Sequence, residues 1–313
     1  MTNSMISKIL DNIFMNKFRI LYNKLFQEAV WKIAYRINAC HWPFEYSESF
    51  HTIPNTPKYW FADPLLIEYK GGLFVFCEAF NKKKNIGELA VMEYVGGNWT
   101  NPKVVISNKY HMSYPFVFNY EGIYYMIPES AENNSLELYI CHKFPYVWEK
   151  KCNLLENTKL ADPTVIVEGK QIYLYAYTEK KEEYIGYLYS VDPRQGLCSL
   201  LHTKQYLANE GRPAGPVIPI SEYYIRSSQD SRVMYGQSII WNKFRIVNEQ
   251  IEETGIDVII NKKILIDQKT GVDRIHTFSY AGNMEFIDYC EFKFDLLKRL
   301  KILKRKWDVS KRK

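Results

Sequence analysis

Four prolines, Pro64, Pro115, Pro163 and Pro213, recur at separations of 51, 48 and 50 residues. The residue before each is polar or charged: Asp63, Tyr114, Asp162 and Arg212, with His276 in the same place by a looser alignment. Fourteen residues after the first three prolines stand Glu78, Glu129 and Tyr177; after the fourth comes Ser227, with Asp230 close by. Positions buried for packing alone would be apolar. Carboxylates, an arginine, a histidine and tyrosines suit a sugar site instead. Carboxylates bind hydroxyls and move protons, and aromatic faces stack on sugar rings. The planar fork of Arg212 suits an anionic group such as a phosphate or uronate. An arginine beside carboxylates also lowers their pKa values, which opposes general-acid work. Plainer readings stand beside these. Asp-Pro is a common turn former, Glu78 and Glu129 could be salt-bridged structural acids, Arg212 could pair with Asp63 or Asp162, and His276 could be a satisfied core histidine.

The elements that must position these residues are strands. LFVF at 73–76, IYYMI at 123–127 and IYLYAY at 172–177 carry the strand pattern, separated by turns such as EYKGG, NYEG and VEGK. The prolines mark an internal repeat: FADPLLIEYKGGLFVFCEAF from Phe61, SYPFVFNYEGIYYMIPESAE from Ser113, LADPTVIVEGKQIYLYAYTE from Leu160 and GRPAGPVIPISEYYIRSSQD from Gly211. A weaker, shorter fifth copy begins at Ile275. A second strand pair follows the early copies, as in GELAVMEY with NWTNPKVVI. Four antiparallel strands per period make a propeller blade, so the expected fold is all-β, a five-bladed β-propeller over residues 46–290. The innermost strands of a propeller converge on a central channel, so residues at one phase of the repeat meet at its mouth. Glu129, where an inner strand ends, is then a candidate general acid.

The 313 residues carry a formal net charge of +6, unevenly spread. Residues 1–38 hold +4 and 291–313 hold +7, which leaves −5 for the repeat body. Apolar residues at helical spacing over 6–34 and 296–307 predict amphipathic helical extensions, an N-terminal segment 1–45 and a basic tail 291–313. An acidic body without a recognition motif argues against nucleic acid. Basic amphipathic ends fit an anionic membrane surface, a peripheral place. No stretch of 18 apolar residues predicts a spanning helix, and no secretory signal is expected, so the expected location is cytoplasmic. The six cysteines form no CxxC pair and read as reduced, mostly buried thiols. Neither a metal nor another cofactor is expected.

The ordered boxes WFADP at 60–64, HMSYPFVF at 111–118, MIPES at 126–130, LADPT at 160–164, GRPAGP at 211–216, SSQDS at 227–231 and HTF at 276–278 resemble a known family. They are similar to the N-terminal propeller domain of glucosamine inositolphosphorylceramide transferases and, more distantly, to five-bladed glycoside hydrolases of family 43. The latter resemblance implies that Asp63 is the general base and Asp162 the carboxylate that orients the acid. The family 43 acid is a glutamate on a later blade, where this chain has Arg212 instead. The resemblance thus implies a carbohydrate-active protein of surface-glycan biosynthesis, transferring or cleaving a glycosyl unit. The alternative is a non-catalytic glycan-binding module assisting a partner glycosyltransferase. Asp63, Asp162 and Glu129 are the expected catalytic residues; Glu78, Tyr114, Tyr177, Arg212, Asp230 and His276 would contact the sugar or glycoconjugate, which could be anionic or lipid-linked.

Overall fold

The computed structural model describes residues 26–37, 50–260 and 272–295, with Trp307. Strands β1 (Gln27–Ile37) and β2 (His51–Thr52) come first. Blade one holds β3 (Tyr59–Tyr69), β4 (Gly72–Asn81), β5 (Ile86–Val95), β6 (Asn98–Trp99) and β7 (Lys103–Ile106). Blade two holds β8 (Ser113–Tyr120), β9 (Ile123–Glu129), β10 (Ser135–Lys143) and β11 (Val147–Glu156). Blade three holds β12 (Ala161–Glu168), β13 (Gln171–Lys180), β14 (Glu183–Asp192) and β15 (Leu197–Tyr206). Blade four holds β16 (Ile218–Ile220), β17 (Tyr223–Asp230), β18 (Ser238–Val247) and β19 (Gln250–Ile260). Strands β20 (Val272–Arg274), β21 (Phe278–Ala281) and β22 (Met284–Phe294) belong to blade five. The fold is a five-bladed, all-β propeller, each blade an antiparallel sheet.

Tight turns join the inner hairpins. Lys70 and Gly71 both have positive φ (50° and 75°), the geometry of a two-residue turn whose twist matches its strands. Between blades the cores are continuous. One cluster runs from Leu65 and Phe76 of blade one through Tyr125 and Leu138 of blade two to Leu174 of blade three.

The expected N-terminal helix is corrected over its described part. Residues 27–37 are strand β1, paired along its whole length with β22, from Gln27 opposite Phe294 to Ile37 opposite Met284. The sheet order β2-β1-β22 makes β1 and β2 the outer half of blade five. That is why the fifth sequence copy is short. The physical reason for a strand is burial on two faces. Ile33 packs with Phe286 in the blade five–blade one core, while the next residue, Ala34, packs with Trp241 and Phe278 on the other side. A helix would bury one stripe; adjacent residues facing opposite cores require period two. The propeller therefore begins at β1 and extends to Phe294, past the expected limits of 46 and 290. The rest of 1–45 up to residue 25, residues 38–45, and the tail from 296 apart from Trp307, lie outside the described residues. The described cysteines are free thiols, but only Cys77 and Cys290 are buried. Among the described residues no helix is long and apolar enough to cross a membrane.

Candidate functional site

The Asp-Pro boxes are β-bulges. In β3 the register slips between Ala62, opposite Glu78, and Leu65, opposite Phe76. The same slip lies between Ser113 and Phe116 in β8 and between Ala161 and Thr164 in β12. Asp63, Tyr114 and Asp162 sit in these bulges with φ of 50°, 46° and 47°. A left-handed residue at a bulge re-aims its side chain, and such bulges concentrate beside functional sites. Blade four departs from the pattern. Pro213 bridges Ser228 directly, and the crowded position is Gly215, where a Cβ would lie 1.8 Å from the Phe278 carbonyl oxygen.

A cavity of about 400 Å³ opens over these bulges. Asp63, Glu78, Glu129, Arg212 and His276 all line it, among the aromatic walls Trp31, Trp60, Phe80 and Tyr235. Trp60 stacks on Phe80 at 4.4 Å between ring centroids, and Trp31 stacks on His276 at 3.9 Å. His111 lines the same cavity and stands 3.5 Å from Glu78.

Two buried networks meet here. In the first, Asp288 organises the wall. Its carboxylate accepts from the backbone N–H groups of Asp63 (3.0 Å), His276 (3.1 Å) and Thr277 (2.9 Å), and lies 2.6 Å from His276 Nδ1. Asp63 in turn accepts from Tyr114 N–H (3.1 Å) and Thr277 Oγ1 (3.1 Å), with His276 Nε2 at 3.7 Å. Asp63, His276 and Asp288 have the composition of a cation site, their ligand atoms within 4.8 Å of one another. The four donors on Asp288 make it a hydrogen-bonded brace as it stands. In the second network Arg212 donates to Asp162 through Nε (2.5 Å) and Nη2 (3.2 Å) and to Glu129 Oε2 (3.2 Å). Asp162 N–H also donates to Glu129 Oε2, and Gln229 Nε2 to Asp162 Oδ2 (2.6 Å). The Arg212 fork is engaged within the protein, with the Tyr235 ring 5.1 Å from its guanidinium carbon.

Other expected contacts fall elsewhere. Asp162 lies behind Arg212, buried and off the cavity wall. Tyr114 borders a second void of about 10 Å³ deeper in the channel, its hydroxyl 2.8 Å from Thr164 Oγ1. Tyr177 is buried and donates to Asn209 Oδ1 at 3.0 Å, away from the cavity. Asp230 is held by Arg232 (2.8 Å) and Ser238 (3.3 Å), because strand pairing in blade four sets Gln229, not Asp230, toward Asp162.

Among known proteins, the family described as "Glucosamine inositolphosphorylceramide transferase 1, N-terminal" matches residues 24–278. The chain belongs to this family. Its glucosamine inositolphosphorylceramide transferase 1 relatives include one from Oryza sativa subsp. indica, 29% identical over 143 residues, 45% of this chain and 18% of the relative. Another, from Arabidopsis thaliana, is 32% identical over 112 residues, 35% of this chain and 14% of the relative. The matched stretch thus spans less than a fifth of these longer proteins. In fold, this family member is similar to an α-L-arabinofuranosidase from Clostridium thermocellum (TM-score 0.52, 14% identity, 71% of this chain and 78% of that one). It is also similar to a β-xylosidase/α-arabinofuranosidase from a compost metagenome (0.54, 10%, 79% and 94%) and to a family 117 glycoside hydrolase from Zobellia galactanivorans (0.52, 11%, 86% and 91%). At such identities the likeness is one of fold. The chain is a carbohydrate-related propeller protein.

Within this transferase N-terminal family fold, burial tunes two of the cavity carboxyl groups, Asp63 and Glu129, apart. Burial pushes Asp63 up to about 6; the His276 charge opposes that rise, while Asp288 and Asp162 add to it. Burial pushes Glu129 up to about 8, outweighing Arg212, and Asp162 raises it further. The Asp162 N–H and Arg212 both donate to Glu129 Oε2, and a side-chain hydrogen bond with Asp162 favours the protonated form further. His276 is raised despite burial, which lowers it, because Asp288 and Asp63 hold its charged form.

Sequence reasoning missed Trp31, Trp60, Phe80, His111, Tyr235, Asp288 and Gln229. His111 and Gln229 lie inside the quoted boxes HMSYPFVF and SSQDS, and Trp60 opens WFADP. Trp31 had no signal, since its segment read as a helix.

Proposed function

We propose that the chain is a carbohydrate-active protein of cell-surface glycan biosynthesis whose cavity transfers or cleaves a glycosyl unit. The observation that carries this reading is one aromatic-walled cavity with two carboxyl groups of divergent acidity, Asp63 near 6 and Glu129 near 8. Pairs of carboxyl groups pushed apart by their surroundings divide into base and acid. At neutral pH Asp63 is largely ionised and Glu129 largely protonated. Glu129 gives its proton to the leaving-group oxygen as the glycosidic C–O bond breaks. Asp63 takes the proton of the attacking hydroxyl, from water or an acceptor, as the new C–O bond forms. Asp162 favours the protonated acid through its charge and its side chain, while Arg212 and the Asp162 N–H hold the Glu129 carboxyl in place. Trp60, Phe80 and Tyr235 supply faces for sugar rings. The relatives are named as transferases of glucosamine inositolphosphorylceramide, which points to a lipid-linked, phosphate-bearing glycoconjugate as substrate class.

The test is turnover of nucleotide sugars, lipid-linked sugars and aryl glycosides by the wild type, Asp63→Asn and Glu129→Gln. Each substitution is expected to lower turnover by about 10²–10⁴-fold. The wild-type rate should fall on both sides of a plateau between pH about 6 and about 8. Tight glycan binding without turnover by any of the three would leave the second reading, a binding module for a partner glycosyltransferase. That reading is favoured by one observation: both oxygens of Asp63 already accept internal hydrogen bonds.

A further inference from the structure

We infer that the face bearing the cavity is the surface on which this protein docks to an anionic lipid bilayer. The inference does not depend on glycosyl turnover. It begins with where the chain enters and leaves the propeller. Glu28 and Ala29, at the start of β1, and Asp295, just after β22, all line the cavity. Asp295 N–H donates to the Phe26 carbonyl at 2.7 Å, so both ends of the described fold lie together at the cavity rim. From that rim the sequence continues into basic runs. Residues 1–25 hold four Lys/Arg against one acid, and 296–313 hold nine against one.

The described rim sets exposed lysines and apolar side chains around two acids, Glu28 and Asp295. The loop between β4 and β5 carries exposed Lys82 and Lys83, between cavity residues Phe80 and Asn85. Lys82 N–H donates to the Lys58 carbonyl at 3.0 Å, and Lys58 is exposed as well. Exposed Lys293 is a near neighbour: partial burial and the Lys293 charge hold the Lys82 ammonium below its usual value, against the opposing charge of Glu28. Beside Lys293, Phe294 is 63% exposed, and Val233, two residues from cavity wall Tyr235, is 68% exposed. Lysines around exposed apolar side chains match an anionic bilayer, whose surface attracts the charges and whose interface takes the rings and alkyl groups.

The remaining charge sets the orientation. Residues 39–290 carry −5 in total, so an anionic surface repels the body as a whole and attracts it by its basic side. That side is the cavity mouth, and a glycan anchored in the bilayer would then meet the opening directly.

The experiment uses the full chain and vesicles of phosphatidylcholine with or without phosphatidylglycerol, read by flotation. One variant reverses two rim charges, Lys83→Glu with Lys293→Glu. The control reverses two on the opposite face, Lys70→Glu with Lys170→Glu, in the turns at the far ends of β3 and β12. All four lysines are exposed, and the two variants change net charge equally. Wild type is expected to bind the anionic vesicles alone. The rim variant should bind them at least roughly thirtyfold more weakly, at about fivefold per lysine lost before the repulsion of the added glutamates, and the control within about twofold of wild type. Equal weakening in both variants, or a rim variant that binds like wild type, overturns the orientation. Failure of wild type to bind anionic vesicles overturns the proposal and returns the basic rim to an acidic protein partner. Turnover of a soluble glycoside tests the catalytic reading separately and enters none of these outcomes.

Discussion

Glu129 shows how two effects of opposite sign are ranked at one residue. Arg212 stands 3.2 Å away and favours the carboxylate, yet burial prevails and the group is pushed up to about 8. The negative charge of Asp162, which shares the guanidinium, offsets part of its pull on Glu129. The consequence for stability has a definite sign. A carboxyl whose folded pKa lies above its unfolded value of 4.5 stabilises the fold fully below pH about 4.5, and that contribution is lost as pH rises through about 8. Glu129→Gln keeps the shape of the protonated form and cannot ionise. It is expected to be more stable than wild type at pH 8, by up to about 4 kcal/mol, and nearly equal at pH 4. Thermal melts across that range check it; a less stable variant at pH 8 would mean that the Arg212 ion pair outweighs desolvation. Gained stability with lost turnover is the expected trade at a catalytic group.

At the scale of elements, the site is made by bulges and by the straps between blades. The bulges turn Asp63 and Asp162 inward, and their Asp-Pro signature was legible because it recurs. The strap carrying His111 was not, because its place depends on an absent side chain on another strand. Gly87 N–H donates to His111 Nδ1 at 2.9 Å, and Met112 N–H donates to the Gly87 carbonyl at 3.2 Å. A Cβ on Gly87 would lie 2.2 Å from the Met112 carbonyl oxygen and 2.7 Å from Glu78 Oε1. Gly87→Ala must therefore push the strap outward. We expect a stability loss of about 1–3 kcal/mol, together with weaker glycan binding as His111 leaves the wall. Denaturant melts and calorimetric titration read the two effects; unchanged binding would remove His111 from the site.

At the scale of the whole molecule, the ring is closed by β1 and β22, and the closing strand also supplies Trp31 to the cavity. Closure is reinforced by Arg36 and Glu285, a buried ion pair at 2.6 Å, with the Phe50 ring 4.7 Å from the guanidinium. Arg36→Met removes the charge partner and leaves Glu285 in the core, a change that costs about 3–5 kcal/mol. Melting temperature and glycan affinity should fall together, since the strand that closes the ring is also a cavity wall. A fall in melting temperature with unchanged affinity at low temperature would separate closure from the site.

The repeat by itself determined the number of blades, the innermost strands and the phase at which Asp63, Glu129, Arg212 and His276 converge. Those are consequences of period, and period is a local property of sequence. Tertiary structure alone decided that residues 27–37 are a strand, because an amphipathic run buries one stripe as a helix and two faces as a strand, and only the partner β22 selects between them. It also decided that Asp162 stands behind Arg212, that Tyr177 and Asp230 turn away, and that Asp288 braces the wall, since each rests on cross-blade pairing. The acidity of Glu129 was beyond sequence for the same reason. It is a sum over burial and neighbours from blades far apart in the chain, and the largest contribution, lost water, is written in no residue.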